Sequence, residues 1–434
     1  MALGGGTFTV QNKVLPGAYI NFVSSGASDR SLSDRGVATM PLTLGWGPSE
    51  VLEVTKEDFY KNSRKIFGYD YYADEMKPLQ DLFMNASKLY AYRLNGAGVA
   101  ATSELATAKY PGTRGNDLRY VVAADVDNTG YFNVTLYLGT TKIETQTVQA
   151  ASELVDNEFV VWNDEGELAA TAGTPLSGGT DSEVTGANHT DYLNKIEGYA
   201  FNTMGVDVTD DTTKRVYVNF VKRVREDVGK KFQLVLYNYA ADYEGVINLT
   251  STVKDAGASA ASLVYWLTGA EAGCAVNQSC MNKKYDGTFT VNTDYSQSAL
   301  EAAINAGQVV FHNVSGNVRV LEDLSSLTSV TEEKGVLFKD NKTIRIIDQI
   351  ANDVAALFAE KYIGQIPNDA DGRISLWNDV VDIHNQLARI RAIQNFDSGD
   401  ITVAEGDSKN AVVITDVITV TGTMEKLYMT VLVQ

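Results

Sequence analysis

Any thiol or imidazole chemistry in this chain must run through two cysteines and three histidines: Cys274, Cys280, His189, His312 and His384. The cysteines stand six positions apart with no second pair, which suits buried or idle thiols better than a zinc site. No histidine falls in H-E-x-x-H or beside a second ligand-type residue at metal spacing. His384 lies on a helical stretch and reads as a surface or interface residue. Pro367-Asn368-Asp369-Ala370-Asp371-Gly372-Arg373-Ile374 resembles a calcium loop in its glycine and isoleucine. Proline holds the first ligand position, however, and Asn378 stands where a bidentate glutamate is needed, so an inter-helix loop with an N-cap is expected. No G-x-x-x-x-G-K-[ST] loop occurs, which argues against an NTP-driven motor, and no G-x-S-x-G elbow is present. Gly178-Gly179 and Gly4-Gly5-Gly6 lack the strand-to-helix setting of a phosphate cradle. The residues therefore predict no enzyme, with no catalytic, metal or cofactor site.

The net charge of −19 argues against a nucleic-acid groove, which needs clustered Lys and Arg. No basic segment followed by an apolar run opens the chain, so no secretory signal is expected. The longest uncharged stretches, such as 256–270, are too short to span a bilayer. Two cysteines in 434 residues fit a reducing compartment without a disulfide framework. Synthesis in a cytoplasm, with export by a route such as lysis, is the expectation.

The remaining residues must then serve architecture. Val37 to Leu44 reads as a strand, and Thr55-Lys56-Glu57-Asp58 as a capping box opening a helix. Leu79, Leu82, Phe83, Ala86, Leu89 and Tyr90 fall at helical spacing before a strand at Tyr92-Arg93-Leu94. Between 99 and 186 the pattern changes to short strands at 120–124, 131–138, 142–148 and 158–162. Helices with Tyr192, Ile196, Tyr199 and Ala200, and with Val216, Phe220, Val224 and Val228, precede a strand at 232–239. Helices near 258–267 and 299–306 and a strand at 309–312 follow. Ile344, Ile347, Ile350, Val354, Leu357 and Phe358 make one amphipathic helix, and Leu376, Val380, Ile383, Leu387 and Ile390 a second. This predicts an α/β and α+β multidomain chain. Its parts are an N-terminal arm over 1–24, a central α/β domain over 25–96 and 187–334, an inserted outward-facing β domain over 97–186, and a C-terminal α+β domain over 335–434.

Both ends read as strands. Thr7-Phe8-Thr9-Val10 follows three glycines. Val412 to Val420 and Leu427 to Gln434 flank Thr421-Gly422-Thr423 as a hairpin. A bare apolar edge strand is an aggregation template unless it is paired on purpose. Two such ends on one chain predict strands exchanged between subunits, carried by Phe8, Val10, Val417, Thr419, Leu427, Met429, Val431 and Val433, and hence a polymer.

Several stretches resemble contractile tail sheath proteins of myophages, defective prophages and phage-tail-like bacteriocins, in the short form of Gram-positive hosts. They are Leu15-Pro16-Gly17-Ala18-Tyr19-Ile20; Arg35-Gly36-Val37-Ala38 leading into Pro41 to Pro48; and Tyr92-Arg93-Leu94-Asn95-Gly96. The most specific is Ala108-Lys109-Tyr110-Pro111-Gly112-Thr113-Arg114-Gly115-Asn116. Leu176-Ser177-Gly178-Gly179 and Met424-Glu425-Lys426-Leu427-Tyr428-Met429-Thr430-Val431 complete the set. The resemblance implies a helical tube of stacked rings around an inner tail tube. That tube would contract to drive the inner one through a cell envelope, with baseplate and tail terminator proteins as further partners. It implies no membrane insertion and no nucleic-acid partner. A static surface-layer or capsid-like protein is the alternative, and the 110–116 turn and the closing strand argue against it.

Overall fold

The computed structural model describes residues 32–433. Its centre is a seven-stranded sheet in the order Gln308–Val309, Val246–Leu249, Gln233–Tyr237, Thr203–Val206, Val37–Leu42, Lys88–Arg93, Val51–Thr55. All neighbours are parallel except the last pair. Alternation along the strands assigns each side chain to a face. Ala38, Met40 and Leu42 pack with helices Lys56–Phe67, Lys77–Phe83 and Leu263–Gly273. On the opposite face Thr39 bonds Tyr192, and Met204, Val206, Leu234 and Leu236 pack with helices Gly186–Ile196 and Asp211–Arg223. Thr55 caps the first helix by accepting from the Asp58 N–H at 3.1 Å.

Helical spacing misleads after Phe83. The helix stops there, and Leu89 and Tyr90 belong to strand Lys88–Arg93, in register with Ala38 and Thr39. Pairing between two strands decides the backbone here, and Leu89 and Ala91 enter the core with period two. The expected helix at 258–267 lies instead at Leu263–Gly273 and runs through two glycines. A side chain at Gly269 would strike the Leu82 carbonyl, so the glycine is what lets this helix, buried from Leu263 to Ala272, approach its neighbour.

Between strand Lys88–Arg93 and helix Gly186–Ile196 stands a β-sandwich. Its four-stranded antiparallel sheet has the order Thr141–Val148, Phe132–Leu138, Leu118–Ala124, Thr171–Pro175, and a two-stranded sheet pairs Ala106–Ala108 with Val160–Trp162. Leu118, Tyr120, Val134, Leu136, Val160 and Trp162 fill its core.

The C-terminal part packs helices Asn341–Leu357 and Ala370–Arg389 on two separate two-stranded sheets. Val412–Asp416 pairs with Ile401–Glu405, and Thr419–Val420 with Ile393–Gln394. The expected terminal hairpin is therefore replaced. The strand at 412–416 finds its partner upstream, because Ile401, Val403, Val412 and Ile414 share one apolar core, and 421–433 holds no strand. The loop at 367–372 is an N-cap: Asp369 accepts from the Gly372 N–H at 2.8 Å.

Candidate functional site

Three constellations join the parts of this chain or leave them open. The first lies where the insertion leaves the central sheet. Strand order reverses at Val37–Leu42, and in open α/β sheets the carboxyl end of such a reversal is the usual ligand crevice. Here it is capped by the insertion's entrance. Arg93, at the end of its strand and buried, donates to the carbonyls of Gly47 (2.9 Å) and Pro111 (2.7 Å) and pairs with Asp181 at 2.9 Å. Tyr110 packs edge-on against buried Trp46 with ring centroids 5.3 Å apart. Gly112 holds φ +136 against the Gly45 carbonyl, where a side chain would collide. Arg114 donates to the Gly68 carbonyl at 2.8 Å and lies over the Tyr69 ring. Asn116 exchanges two hydrogen bonds with the Gly179 backbone, at 2.8 and 2.9 Å. Thr113 Oγ1 donates to Asp181 at 2.6 Å. The 110–116 turn thus clamps the entrance of the insertion to its exit at 176–181.

The second constellation fixes helix Asn341–Leu357 to the central domain through a buried polar face. Arg345 Nη2 lies 2.5 Å from Glu271 and 3.4 Å from Asp323, and its Nη1 donates to the Gln278 carbonyl at 2.7 Å. Asp323 also accepts from the Cys280 N–H (2.7 Å), Ser279 Oγ (2.9 Å) and Asn341 Nδ2 (2.8 Å). One turn along, Asp348 takes a bidentate pair from Arg225 at 2.6 and 2.8 Å, both side chains being buried. Asn352 exchanges two bonds with the Lys231 backbone. Burial pushes the Glu271 carboxyl well up, helped by Asp323 beside it. Burial opposes ionisation of Asp323 as well, but Arg345 and the surrounding donors outweigh it and hold that carboxyl below its ordinary value. These opposite shifts favour a proton on Glu271 and a negative charge on Asp323 facing the guanidinium.

Oxygens of Glu271 and Asp323 and the sulfur of Cys280 lie within 4.8 Å of one another, a grouping of ligand types that sequence spacing did not reveal. Arg345 already supplies the cation that these groups require, so the cluster works as a domain lock. The histidines are placed separately. His189 bonds Tyr217 at 2.7 Å, and His384 bridges the Val380 carbonyl and Asp416, each at 2.8 Å. His312 lies on hairpin strand Phe311–Val314.

The third constellation is the chain's open end. Thr419 pairs with Gln394 and Val417 donates to the Asp400 carbonyl, so both are held within the C-terminal domain. Leu427, Met429, Val431 and Val433 are 87, 75, 68 and 91% exposed, as is most of Tyr428 and Leu432. Phe8 and Val10 lie outside the described residues. Among the described residues the sheets of this domain have two strands each, so every strand in them keeps one edge unpaired there.

Sequence reading missed the lock because it followed the apolar stripe of helix Asn341–Leu357. Asn341, Arg345, Asp348 and Asn352 form a second, polar stripe at 4-3-4 spacing, which was the available signal.

Four family models match, in chain order: the N-terminal region of tail sheath protein Gp18 domain III (35–94), the phage tail sheath protein beta-sandwich domain (96–181), the phage tail sheath protein central domain (182–326) and the phage tail sheath C-terminal domain (333–434). The chain is 30% identical over 466 aligned positions to the phage-like element PBSX protein XkdK of Bacillus subtilis strain 168, covering 99% of each. It superposes on the sheath tail protein of Desulfitobacterium hafniense with TM-score 0.83 and 35% identity, over 95% of this chain and 99% of that one. The contracted helical sheath of the anti-feeding prophage shares the fold alone, with TM-score 0.55 and 12% identity over 97% and 99%.

Proposed function

The chain belongs to the phage tail sheath protein family, and we propose that it polymerises as a helical tube around an inner tail tube and contracts to drive that tube through a cell envelope. The exposed apolar run at 427–433, together with two C-terminal sheets that each have only two strands among the described residues, carries this reading. Added to a sheet edge in another copy, the run would satisfy backbone groups worth about 0.5–1.5 kcal/mol per hydrogen bond. It would also bury alternate apolar side chains worth about 1.5–3 kcal/mol each. One exchange is modest once ordering is counted, but exchanges repeated around a ring hold a tube firmly. Phe8 and Val10 at the other end would be donated in the same way.

Contraction then needs only that rigid subunits turn on their linking arms. The inner lock and the insertion clamp keep each subunit rigid, and a protein of the same fold has been solved in a contracted helical sheath. The tail tube, baseplate and terminator proteins are the further partners, and assembly in a host cytoplasm with release by lysis completes the reading. Among the described residues no helix is long and apolar enough to cross a membrane. Negative-stain microscopy of the assembled protein tests the reading: hollow striated cylinders are expected, and flat lattices would replace it with a surface-layer function.

A further inference from the structure

Helix Ala370–Arg389 reaches the root of the exposed run through His384. Its Nδ1 bonds the Val380 carbonyl of the same helix, and its Nε2 bonds the Asp416 carboxylate on strand Val412–Asp416, each at 2.8 Å. The ring is fully buried and stacks on Phe396, with centroids 5.2 Å apart. A carbonyl oxygen can only accept, and so can an ionised carboxylate. Both bonds therefore form together only when both ring nitrogens carry protons, which makes the ring a cation. The strand answers that charge with Asp416. The segment after Ile393–Gln394 brings the uncharged Phe396, and the helix itself brings the Val380 carbonyl. Among the described residues Asp416 is the one charged group that acts on the ring. Beyond it, backbone bonds hold the chain: Val417 donates to the Asp400 carbonyl, Thr419–Val420 pairs with Ile393–Gln394, and Thr421 donates to the Ala392 carbonyl.

We propose that His384 and Asp416 form a pH-operated latch on this root, closed while the ring carries two protons and open once it has lost one. The proton leaves from Nε2, on the side where Asp416 keeps 24% of its side chain exposed, because Nδ1 retains its bond to Val380. Nε2 then turns a lone pair toward the carboxylate, so two acceptors face each other and the grip on the strand end is lost. Burial opposes the charged ring, but the two bonds outweigh it and hold the pKa above its ordinary value. The grip is thus complete below about pH 6.5 and fades as pH rises through the folded value. Its consequence for assembly rests on the reading that the run at 427–433 joins copies. An open latch loosens the base from which the run is offered, so assembled tubes should come apart in mild alkali.

The test is hydrogen exchange on the full unassembled chain at about pH 6 and about pH 8.5, with labelling times scaled to the intrinsic rate. Peptides within 401–420 should exchange roughly tenfold faster at the higher pH, while the 118–138 strands keep their protection. Asp416→Asn and His384→Gln should each abolish that step. Labelled-histidine NMR at about pH 6.5 should show one ring protonated mainly on both nitrogens, lost in His384→Gln. Burial holds His189 and His312 below their ordinary value, so neither mimics the signal. Equal protection of 401–420 at both pH values, the same step in Asp416→Asn, or a singly protonated His384 ring would overturn the latch. A step of the expected size in a chain that forms tubes at neither pH would support the latch and remove only its link to assembly.

Discussion

The inserted sandwich and the C-terminal domain are both built from short antiparallel strands, yet they finish differently. The sandwich joins four strands in one sheet, faces them with a second pair and buries Leu118, Leu136 and Val160 completely. Among the described residues the C-terminal domain stops at two-stranded fragments and leaves Leu427, Leu432 and Val433 in solvent. A lone pair of strands is marginal in water, so such fragments hold only when something packs on them. Within the chain helix Ala370–Arg389 packs on both fragments. The contrast teaches that the insertion closes its own strands, whereas the C-terminal domain is firmly rooted in the central one and, among the described residues, leaves strand edges open.

The root is where a single change should cost most. Arg345→Ala leaves Glu271 and Asp323 buried without their cation, and should destabilise the chain by about 3–5 kcal/mol in urea unfolding. Arg345→Met, which restores volume, should lose almost as much because the carboxyls remain. An Arg345→Ala loss under about 1 kcal/mol would break the comparison, since the root would then be no firmer than a surface pair. Arg93→Ala should cost less, about 2–3 kcal/mol, because Asp181 remains partly hydrated while the Gly47 and Pro111 carbonyls and the Asn95 side-chain oxygen lose a donor. Its effect should concentrate on the insertion, seen as faster amide exchange across 106–175 with the central sheet still protected. Uniform exchange would show that the insertion is not a separate unit.

The smallest effect sharpens the other side. Burial disfavours the protonated His384 ring, but its bonds to Asp416 and the Val380 carbonyl outweigh this and hold its pKa above the ordinary value. A raised histidine gives stability that is complete below its unfolded pKa of about 6.5 and is lost as pH rises through the folded value. The melting temperature of the wild-type chain should therefore fall with pH above about 6.5, and His384→Gln should remove that slope. An identical slope in the variant would assign it to another group.

Much of this architecture is legible from period and capping. Thr55, the 118–124, 132–138 and 141–148 strands, and both C-terminal helices stand where alternation and 3.6-residue spacing put them. Helical spacing failed at Leu89 and Tyr90 because strand pairing from distant residues overrode a local pattern. The terminal hairpin failed for a similar reason: Val412 to Asp416 met a closer match in Ile401 to Glu405. The lock was hardest to see. Glu271, Asp323 and Arg345 are far apart in the chain and neutralise one another only once three elements meet. The 110–116 turn was visible as a motif, but its work, pinning Asn116 to Gly179, exists only in three dimensions.

The most direct test of the central claim is removal of residues 421–434 from the full chain, followed by sedimentation velocity and negative-stain microscopy under conditions where the intact chain assembles. The truncated chain should sediment as a folded monomer with unchanged far-ultraviolet circular dichroism and form no cylinders. Cylinders of normal length from the truncated chain would contradict the account, because the exposed run would then have no part in joining subunits.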